Sequence, residues 1–281
     1  NAVKACENIM DTHWFLSKEI YRWVQTIEEI SNSQVKNLDN STIILYKSIC
    51  SVIHAIDNRL ELRGRDSFGL SIAINAKSSQ DNIQTYSFNN SLEESYYLYD
   101  NLEYHTHTFT FKTCNSIGSL GDNAREIKKL LRYNQSFNKL IQNEDVKSAT
   151  IMAHTRWASV GAVNVENAHP ANLIDNTIDN GAQTLALLNG DIYNYKEIIN
   201  DVNKTYSDLI SSSLCTNDSL AIPAYLLNKD QLDLDTTIDM ASNFSGSFAI
   251  SIQHSSNAEN ITLIKKGIQG LYLGFSYDGI I

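Results

Sequence analysis

The order in which helical and strand-like periodicity follow one another constrains this fold more than any other feature of the sequence. Apolar residues recur every three or four positions near the N-terminus, which predicts a helix within residues 1–37 and a second helix over about 42–61. Later segments are apolar or alternating over strand lengths. These strand-like segments are "LSIAINA", "YHTHTFTFKT", "SATIMAHTRW", "TLALLNGDI", "SGSFAISIQ" and "NITLIKKG".

The arrangement of these segments predicts the fold class. A third helix begins near Asp122 and continues as an amphipathic pattern to Ile141. The segment "TLALLNGDIYNYKEI" predicts a strand, a tight Asn-Gly turn and the start of a helix, and the last two strand-like segments predict a hairpin. In chain order the segments are helix, strand, helix and then several neighbouring strands. This order predicts a mixed α/β chain with mostly antiparallel sheets covered by helices.

The composition of the chain argues against some classes of binding partner. The formal net charge is −10 over 281 residues, whereas nucleic acids and anionic membranes attract basic surfaces, so neither is expected as the main partner. No apolar run reaches the length of a membrane span. The four cysteines are scattered without a CxxC pair, which favours a reducing compartment, the cytoplasm, and argues against a cysteine zinc site.

The stretch "AHTRWASVGAVNVENAHP" concentrates polar and aromatic groups at the end of an apolar strand. Arg156 and Trp157 lie at the tip of that strand. A guanidinium binds a carboxylate through two parallel hydrogen bonds, so this strand end is a candidate substrate clamp. A surface salt bridge beside a packed indole is the alternative that the same residues allow.

The segment "LLNGDIYNY" places Asn189 and Gly190 after a strand. The Asn189 side-chain amide and the Gly190 backbone N–H are two donors of the kind that stabilise an oxyanion in acyl transfer. An Asn-Gly pair is also a common hairpin signal, although a helix-like sequence rather than a second strand follows it.

Two further segments carry charges. Asp218 in "TNDSLAI" precedes a helix-like stretch, where it either receives a substrate ammonium or caps the helix. Arg63 and Asp66 in "LELRGRDSFGLSI" lie between a helix and a strand, where a structural turn is the default interpretation. A cation for a carboxylate, an anion for an ammonium and two oxyanion donors together describe a site for acyl chemistry on an amino-acid side chain. Glutamine is the obvious candidate.

Five segments of this chain, "RGRDSFGL", "AHTRWASVG", "NAHP", "LLNGDIYNY" and "TNDS", occur in the order found in class II glutamine amidotransferases. The sequence resembles that family over roughly residues 42–75 and 148–281, and it is most similar to the glutaminase domains of members that make glucosamine 6-phosphate from fructose 6-phosphate. The resemblance implies an α+β fold, namely a four-layer αββα N-terminal-nucleophile hydrolase sandwich of two mainly antiparallel sheets with helical insertions.

The resemblance also implies hydrolysis of glutamine to glutamate and ammonia with no metal or organic cofactor. By motif position, Arg156 would bind the α-carboxylate and Asp218 the α-amino group of glutamine. Trp157 would form a wall of the pocket, and Asn189 and Gly190 would hold the oxyanion.

Three residues are expected in supporting roles. Arg63 would help to order the site from the "RGRDS" turn, and His154 and His169 would support loops by hydrogen bonds. The family usually has Thr-His where this chain has Ser159 and Val160, so one substrate hydrogen bond is retained and a contact from an imidazole is lost.

The family nucleophile, a cysteine at the mature N-terminus followed by Gly-Ile and a short strand, has no counterpart in this sequence. Cys6 and Cys50 lie in helical patterns and are not placed to act as one. We therefore expect a single glutaminase domain over residues 1–281 that is truncated at both ends, with residues 1–40 and 76–147 as insertions. Genuine loss of catalysis is the alternative.

Two histidines raise the question of a metal. His105 and His107 in "YHTHT" share one strand face at a spacing that some zinc sites use. Because no third ligand is evident, an exposed strand face is the favoured interpretation, and no metal is expected.

Three functions remain open at this point. The first is a glutaminase domain that passes ammonia to a sugar-phosphate-binding synthase domain in the same polypeptide, with a homodimer as a possible assembly. The second changes the acceptor to that of an asparagine synthetase-like or phosphoribosyl amidotransferase-like enzyme. The third is a catalytically inactive module that binds glutamine.

Overall fold

The chain folds into helical layers that cover two antiparallel β-sheets. The computed structural model describes residues 2–77, 91, 93–100, 104–115, 119–143, 145–157, 162–173, 183–206, 217–227, 229, 231–276 and 279–280. The described α-helices are α1 (Ala2–Trp14), α2 (Tyr21–Ser31), α3 (Asn40–Ala55), α4 (Asp122–Tyr133), α5 (Gln135–Asn143), α6 (Tyr195–Tyr206), α7 (Ala221–Tyr225) and α8 (Leu234–Asn243). Within these ranges, no helix is both long and apolar enough to cross a membrane.

Short irregular helices complete the helical layers. Residues Phe15–Ile20 form a π-helical segment between α1 and α2, and Ile56–Leu60 form another after α3. Three 3-10 turns cover Val35–Asn37, Asp218–Leu220 and Ser255–Asn257.

The strands form two main sheets and a small ribbon. They are β1 (Ser67–Lys77), β2 (Glu94–Asp100), β3 (Tyr104–Thr113), β4 (Val146–Arg156), β5 (Thr184–Ile192), β6 (Gly246–His254), β7 (Ile261–Lys266), β8 (Phe275–Ser276) and β9 (Gly279–Ile280). The first sheet has the order β2-β3-β1-β4, the second β5-β6-β7, and β8 pairs with β9. Every strand pair among the described residues is antiparallel.

The two faces of β1 differ in character because side chains alternate along a strand. Phe68, Leu70 and Ile72 are fully buried and pack with α2, α3, α4 and α5 in one apolar core. On the opposite face, Ser71 is fully buried among polar neighbours, and Gly69 contacts a loop. The first sheet therefore turns an apolar face to helices and a polar face to the rest of the molecule.

The second sheet has its own core. Leu188, Phe248 and Ile250 on one face pack with Ile222 and Met240 of the helical layer that contains α7 and α8. The predicted hairpin over β6 and β7 is confirmed, with Ile250 opposite Ile264. Two mainly antiparallel sheets, each with a helical layer, confirm the predicted α+β architecture.

Two helix predictions need correction. The helix expected from Asp122 to Ile141 is two helices, because Asn134 leaves helical geometry and its Oδ1 accepts the N–H of Phe137 at 2.9 Å. The second helix was expected over about 42–61, but the α-helix covers Asn40–Ala55, and the carboxylate of its N-cap Asp39 accepts the N–H of Thr42 at 2.7 Å.

The predicted Asn-Gly turn is wrong. Asn189 and Gly190 lie inside β5, opposite Ala249 and Phe248, and the strand continues to Ile192. Gly190 has φ of 121°, a conformation that L side chains rarely adopt, and a Cβ there would lie 2.1 Å from the carbonyl oxygen of Ser247. The glycine therefore serves close strand packing rather than a chain reversal.

Candidate functional site

The ends of three strands bring the sequence motifs together. Arg156, the last residue of β4, pairs with Ser67, the first residue of β1 in the "RGRDS" motif. The N–H of Asp66 donates to the carbonyl of Arg156 at 3.1 Å. Gly64 lies so close to this backbone that a Cβ would be 2.9 Å from the carbonyl carbon of Arg156. The "RGRDS" turn therefore fixes the strand end that carries the arginine.

A chain of hydrogen bonds links the arginine to the "NAHP" and "TNDS" motifs. Arg156 Nη1 donates to the carbonyl of Ala162 at 3.2 Å, and Asn167 Nδ2 donates to the same oxygen at 2.9 Å. Asn217 Nδ2 in turn donates to the carbonyl of Asn167 at 3.1 Å. Segments far apart in sequence thus share one polar network.

Asp218 follows Asn217 in the chain and bonds to the second sheet. Its side chain is buried, and its Oδ2 accepts the N–H of Ile192, at the end of β5, at 2.9 Å. The alternative that Asp218 caps a helix is wrong, because Asn217 is the N-cap and its side chain accepts the N–H of Ser219. One carboxylate oxygen of Asp218 is therefore held by the backbone of the strand that carries Asn189 and Gly190.

The electrostatics couple the arginine to two carboxylates. Burial lowers the pKa of Arg156, while the charges of Asp218 and then Asp66 act in the opposite direction. Burial raises the pKa of Asp218, and the backbone hydrogen bond from Ile192 opposes that shift. The Arg156 guanidinium thus lies within electrostatic reach of the Asp218 and Asp66 carboxylates.

The loop over residues 162–173, here called the site loop, packs on the polar face of the first sheet and bonds to the second. Gly69 of β1 allows this, because a Cβ there would lie 1.5 Å from the carbonyl oxygen of His169. On the other side, Ala171 exchanges two backbone hydrogen bonds with Ala186 of β5, at 2.8 and 3.0 Å. The site loop therefore connects both sheets directly beside Arg156.

The two predicted supporting histidines lie against each other. The rings of His154 and His169 are 4.2 Å apart between centroids. Burial lowers the pKa of His154 to about 4, although a hydrogen bond with the backbone of Leu188 acts in the opposite direction. Burial, with His154 next, lowers the pKa of His169 well below its usual range. These shifts favour the neutral form of both imidazoles, and neither ring nitrogen of His169 has a hydrogen-bond partner among the described residues.

Four predicted site residues are less enclosed or lie outside the described ranges. Asn189 is exposed on β5, and Arg63 is exposed in its turn. Trp157 is 73% exposed immediately after β4. Ser159 lies outside the described residues. The pocket wall and the substrate hydroxyl remain predictions.

The sequence interpretation gave no role to two groups that the fold places at the site. Lys112 of β3 is buried opposite Gly69, and its Nζ donates to Asn172 Oδ1 in the site loop at 3.0 Å. Burial lowers the pKa of Lys112 to about 8. The Cys114 thiol follows β3, and its pKa is raised by burial and then by Asp66, while Arg156 acts in the opposite direction. No sequence motif marks either residue, because their placement depends on the pairing of β3 with β1.

The other candidates for nucleophilic or metal chemistry among the described residues are cysteines and metal-binding side chains. Cys6 is exposed on α1, and Cys50 is buried in α3 on the helical side of the first sheet. Within the described ranges, no three His, Cys, Asp or Glu side chains are grouped to hold a metal ion. The prediction that His105 and His107 lie on an exposed strand face is wrong, because His107 is buried and its Nδ1 lies 2.8 Å from the hydroxyl of Tyr96.

Comparison with known proteins points to one family of enzymes through sequence matches. No family model matches the chain. The two-sheet fold, the converging motifs and the sequence matches to curated proteins support a class II glutamine amidotransferase domain.

The matched relatives are glutamine–fructose-6-phosphate aminotransferases. The chain is 29% identical to the enzyme of Thermotoga maritima over 153 residues, which cover 54% of this chain and 23% of that enzyme. It is 33% identical to the enzyme of Chlamydia pneumoniae over 72 residues, covering 26% and 11%. A probable enzyme of this name from Acanthamoeba polyphaga mimivirus is 28% identical over 125 residues, covering 44% and 19%. The matches thus span less than a quarter of each relative's length.

Among solved structures, the chain is similar to one described as the allosteric regulatory enzyme of purine biosynthesis. The identity is 13% and the TM-score is 0.34, over 67% of this chain and 35% of the other.

Proposed function

We propose that the site binds free glutamine and that the domain serves its hydrolysis to glutamate and ammonia. In this proposal the guanidinium of Arg156 takes the α-carboxylate and Asp218 the α-ammonium of the substrate. Asn189 and Gly190, within the edge strand β5, stabilise the oxyanion of the reacting amide. The observation that carries the proposal is the buried network from Arg156 through Ala162 and Asn167 to Asn217, beside Asp218.

The charges at the site support the choice of a free amino acid. A free amino acid carries a carboxylate and an ammonium, which are opposite in charge to Arg156 and Asp218 and form charge-assisted hydrogen bonds with such side chains. Asp218 is pre-oriented by the Ile192 N–H, which leaves its other oxygen for an ammonium. The matched relatives carry an aminotransferase name that includes glutamine, which supports the same substrate here.

We further propose a source for the nucleophilic thiol and an acceptor for the ammonia. The thiol would come from a mature N-terminal cysteine, as in the family that the chain resembles. Ammonia would pass to a synthase domain in the same polypeptide, and the product would be glucosamine 6-phosphate. The names of the matched relatives and the small share of their length that the chain covers support this assignment.

Calorimetric titration with glutamine tests the binding step on the chain itself. Arg156→Ala removes a charge-assisted hydrogen-bonding partner, which is worth about 2 kcal/mol, so we expect a rise in Kd of roughly 30-fold. Asp218→Asn keeps the shape of the side chain and should weaken glutamine binding to a similar degree.

Arg132→Ala, on an exposed position of α4, is the matched control and should leave the Kd unchanged. Equal Kd values for the Arg156 and Arg132 variants would rule out the proposed clamp. In a longer polypeptide that carries the N-terminal cysteine, Arg156→Ala should abolish glutamate release while synthesis from added ammonia persists.

A further inference from the structure

The segment that leads into β1, residues 61–66, is here called the turn segment, and it holds the end of β4. The N–H of Asp66 donates to the carbonyl of Arg156 at 3.1 Å. Apolar contacts contribute little to the position of this segment, because Leu62 is 65% exposed and Arg65 is exposed as well. The position of the turn segment therefore depends on polar contacts with a part of the molecule that is itself fixed.

Helix α4 is that fixed part, because its apolar face is buried. Ala124, Ile127 and Leu131 belong to the core that packs against the first sheet. The N-cap residue Gly121 has φ of 86° and offers no side chain to cap the helix. The first N–H groups of α4 are therefore available to an acceptor from outside the helix.

Glu61, the first residue of the turn segment, supplies that acceptor. Its side chain is 2% exposed, and its Oε2 accepts the N–H of Gly121. Burial raises the pKa of Glu61, while hydrogen bonds with the backbone of Gly121 and then Ala124 act in the opposite direction. A carboxylate at a helix N-terminus also interacts favourably with the helix dipole. One end of the turn segment is thus bonded to the start of α4.

Asn123 bonds the other end of the turn segment to the same helix. Its side chain is 3% exposed, and its Nδ2 donates to the carbonyl of Arg65 at 2.8 Å. Its Oδ1 accepts the N–H of Asn115 at 3.0 Å and the hydroxyl of Thr113 at 3.1 Å. This one amide therefore connects α4 with the turn segment and with the end of β3.

We propose that Glu61 and Asn123 are positioning residues for the glutamine site. Together they hold both ends of the turn segment on the start of α4, and the turn segment holds the strand end that carries Arg156. Neither side chain contacts the substrate, and both act through the placement of the guanidinium. The inference rests on the proposed binding of the glutamine α-carboxylate by Arg156, and it adds α4 as the element that sets the position of that cation.

Two substitutions each remove one of the connections. Glu61→Ala removes the acceptor at the start of α4. Asn123→Asp keeps the acceptor oxygen of the side chain and loses only the N–H donor. Leu62→Ala, at an exposed position of the same segment, is the matched control. Tyr46→Phe removes a buried hydrogen bond between α3 and α5 and controls for a general loss of stability.

Amide hydrogen exchange tests the inference without a ligand. The Asp66 N–H is the reporter, because its acceptor is the carbonyl of Arg156. Glu61→Ala and Asn123→Asp should each accelerate its exchange at least about tenfold more than that of Ile250, which is buried in the central strand of the second sheet. The two control variants should show no such difference. If exchange at Asp66 in both variants equals that in the parent chain, the positioning role is overturned.

Calorimetric titration with glutamine tests whether the effect passes through the guanidinium. Glu61→Ala should raise the Kd about tenfold in the parent chain and less than about twofold in an Arg156→Ala background, since two residues that act as one unit are not additive. Tyr46→Phe should leave the Kd unchanged. A tenfold rise in both backgrounds would show that Glu61 acts independently of Arg156 and would overturn the proposal.

The two experiments also separate this inference from the proposed function. If the parent chain does not bind glutamine, the proposed function is rejected, and exchange at Asp66 still decides whether the two side chains position the strand end. If the parent chain binds glutamine and the Glu61 and Asn123 variants bind it equally well, the positioning role is rejected and the proposed function stands.

Discussion

At the scale of single residues, Gly69 decides whether the site loop can lie on the first sheet. A Cβ at this position would overlap the carbonyl of His169, and the backbone of both segments resists displacement. Gly69→Ala should therefore cost about 3 kcal/mol of unfolding free energy and displace the loop that bonds Arg156. Urea unfolding measures the loss.

Gly270→Ala is the control, since its Cβ would meet only the ring of the exposed Tyr272 at 3.0 Å. Equal stability of the two alanine variants would show that the site loop has more freedom than its contact with Gly69 indicates.

Lys112 should make stability depend on pH in the alkaline range. Burial lowers its pKa to about 8, from an ordinary value of 10.5, so between these values the unfolded chain binds the proton and the folded chain does not. Stability therefore rises as the pH rises from 8 to 10.5, by about 3 kcal/mol from this group alone, and the buried charge is a constant penalty below that window.

Lys112→Met should abolish this increment, which unfolding free energies at several pH values would reveal as a difference from the parent chain. Lys129→Met, at an exposed lysine paired with Glu126, controls for loss of a surface charge. If the unfolding free energies of the parent and of the Lys112 variant depend identically on pH, burial does not lower the pKa of Lys112 in the folded chain.

At the scale of helices and strands, Tyr46 ties α3 to α5 across the core of the first layer. Its side chain is fully buried, and its hydroxyl donates to Asn138 Oδ1 at 2.6 Å. Tyr46→Phe leaves that buried oxygen without its donor and should cost about 1–2 kcal/mol in urea unfolding. Tyr21→Phe, on an exposed side chain of α2, should cost nothing measurable. If both substitutions change the unfolding free energy equally, the Tyr46–Asn138 hydrogen bond contributes nothing measurable to the stability of the core.

Local sequence patterns predicted the type of most elements because most of the strands and helices bury one face. The hairpin of β6 and β7 follows from alternation alone. The prediction of a turn at Asn189 and Gly190 failed because a glycine with positive φ occurs both in tight turns and in strands that pack against a close neighbour. Only the position of Ser247 distinguishes the two cases here. The break at Asn134 had a local signal, an asparagine able to cap the next helix.

The candidate site was predictable as a set of motifs but not as a set of contacts. Arg156 and Asp218 are motif residues, and they do come together with Asn217 in one network. Lys112 was not predictable, because its place opposite Gly69 depends on the register of β3, which no local pattern specifies.

At the scale of the whole molecule, the two sheets are connected at two places. Near the site, the loop that holds His169 on Gly69 also bonds Ala186 of β5. At the far end, Glu259 between β6 and β7 reaches the first sheet, where it accepts from Asn75 Nδ2 at 2.9 Å and Ser148 Oγ at 2.5 Å. The relative position of the two sheets, and so the distance from Arg156 to Asp218, depends on both connections.

Glu259 should therefore contribute stability that is lost in acid. The hydrogen bonds from Ser148 and then Asn75 lower its pKa from the ordinary value of 4.5. Because the folded form releases the proton more easily, this contribution is complete above pH 4.5 and disappears as the pH falls through the lower folded value. Glu259→Gln should reduce unfolding free energy at pH 7 and flatten its acid dependence. Asp235→Asn, in the first turn of α8, is the control. An unchanged acid profile for Glu259→Gln would leave the site loop as the connection that sets the spacing of the sheets.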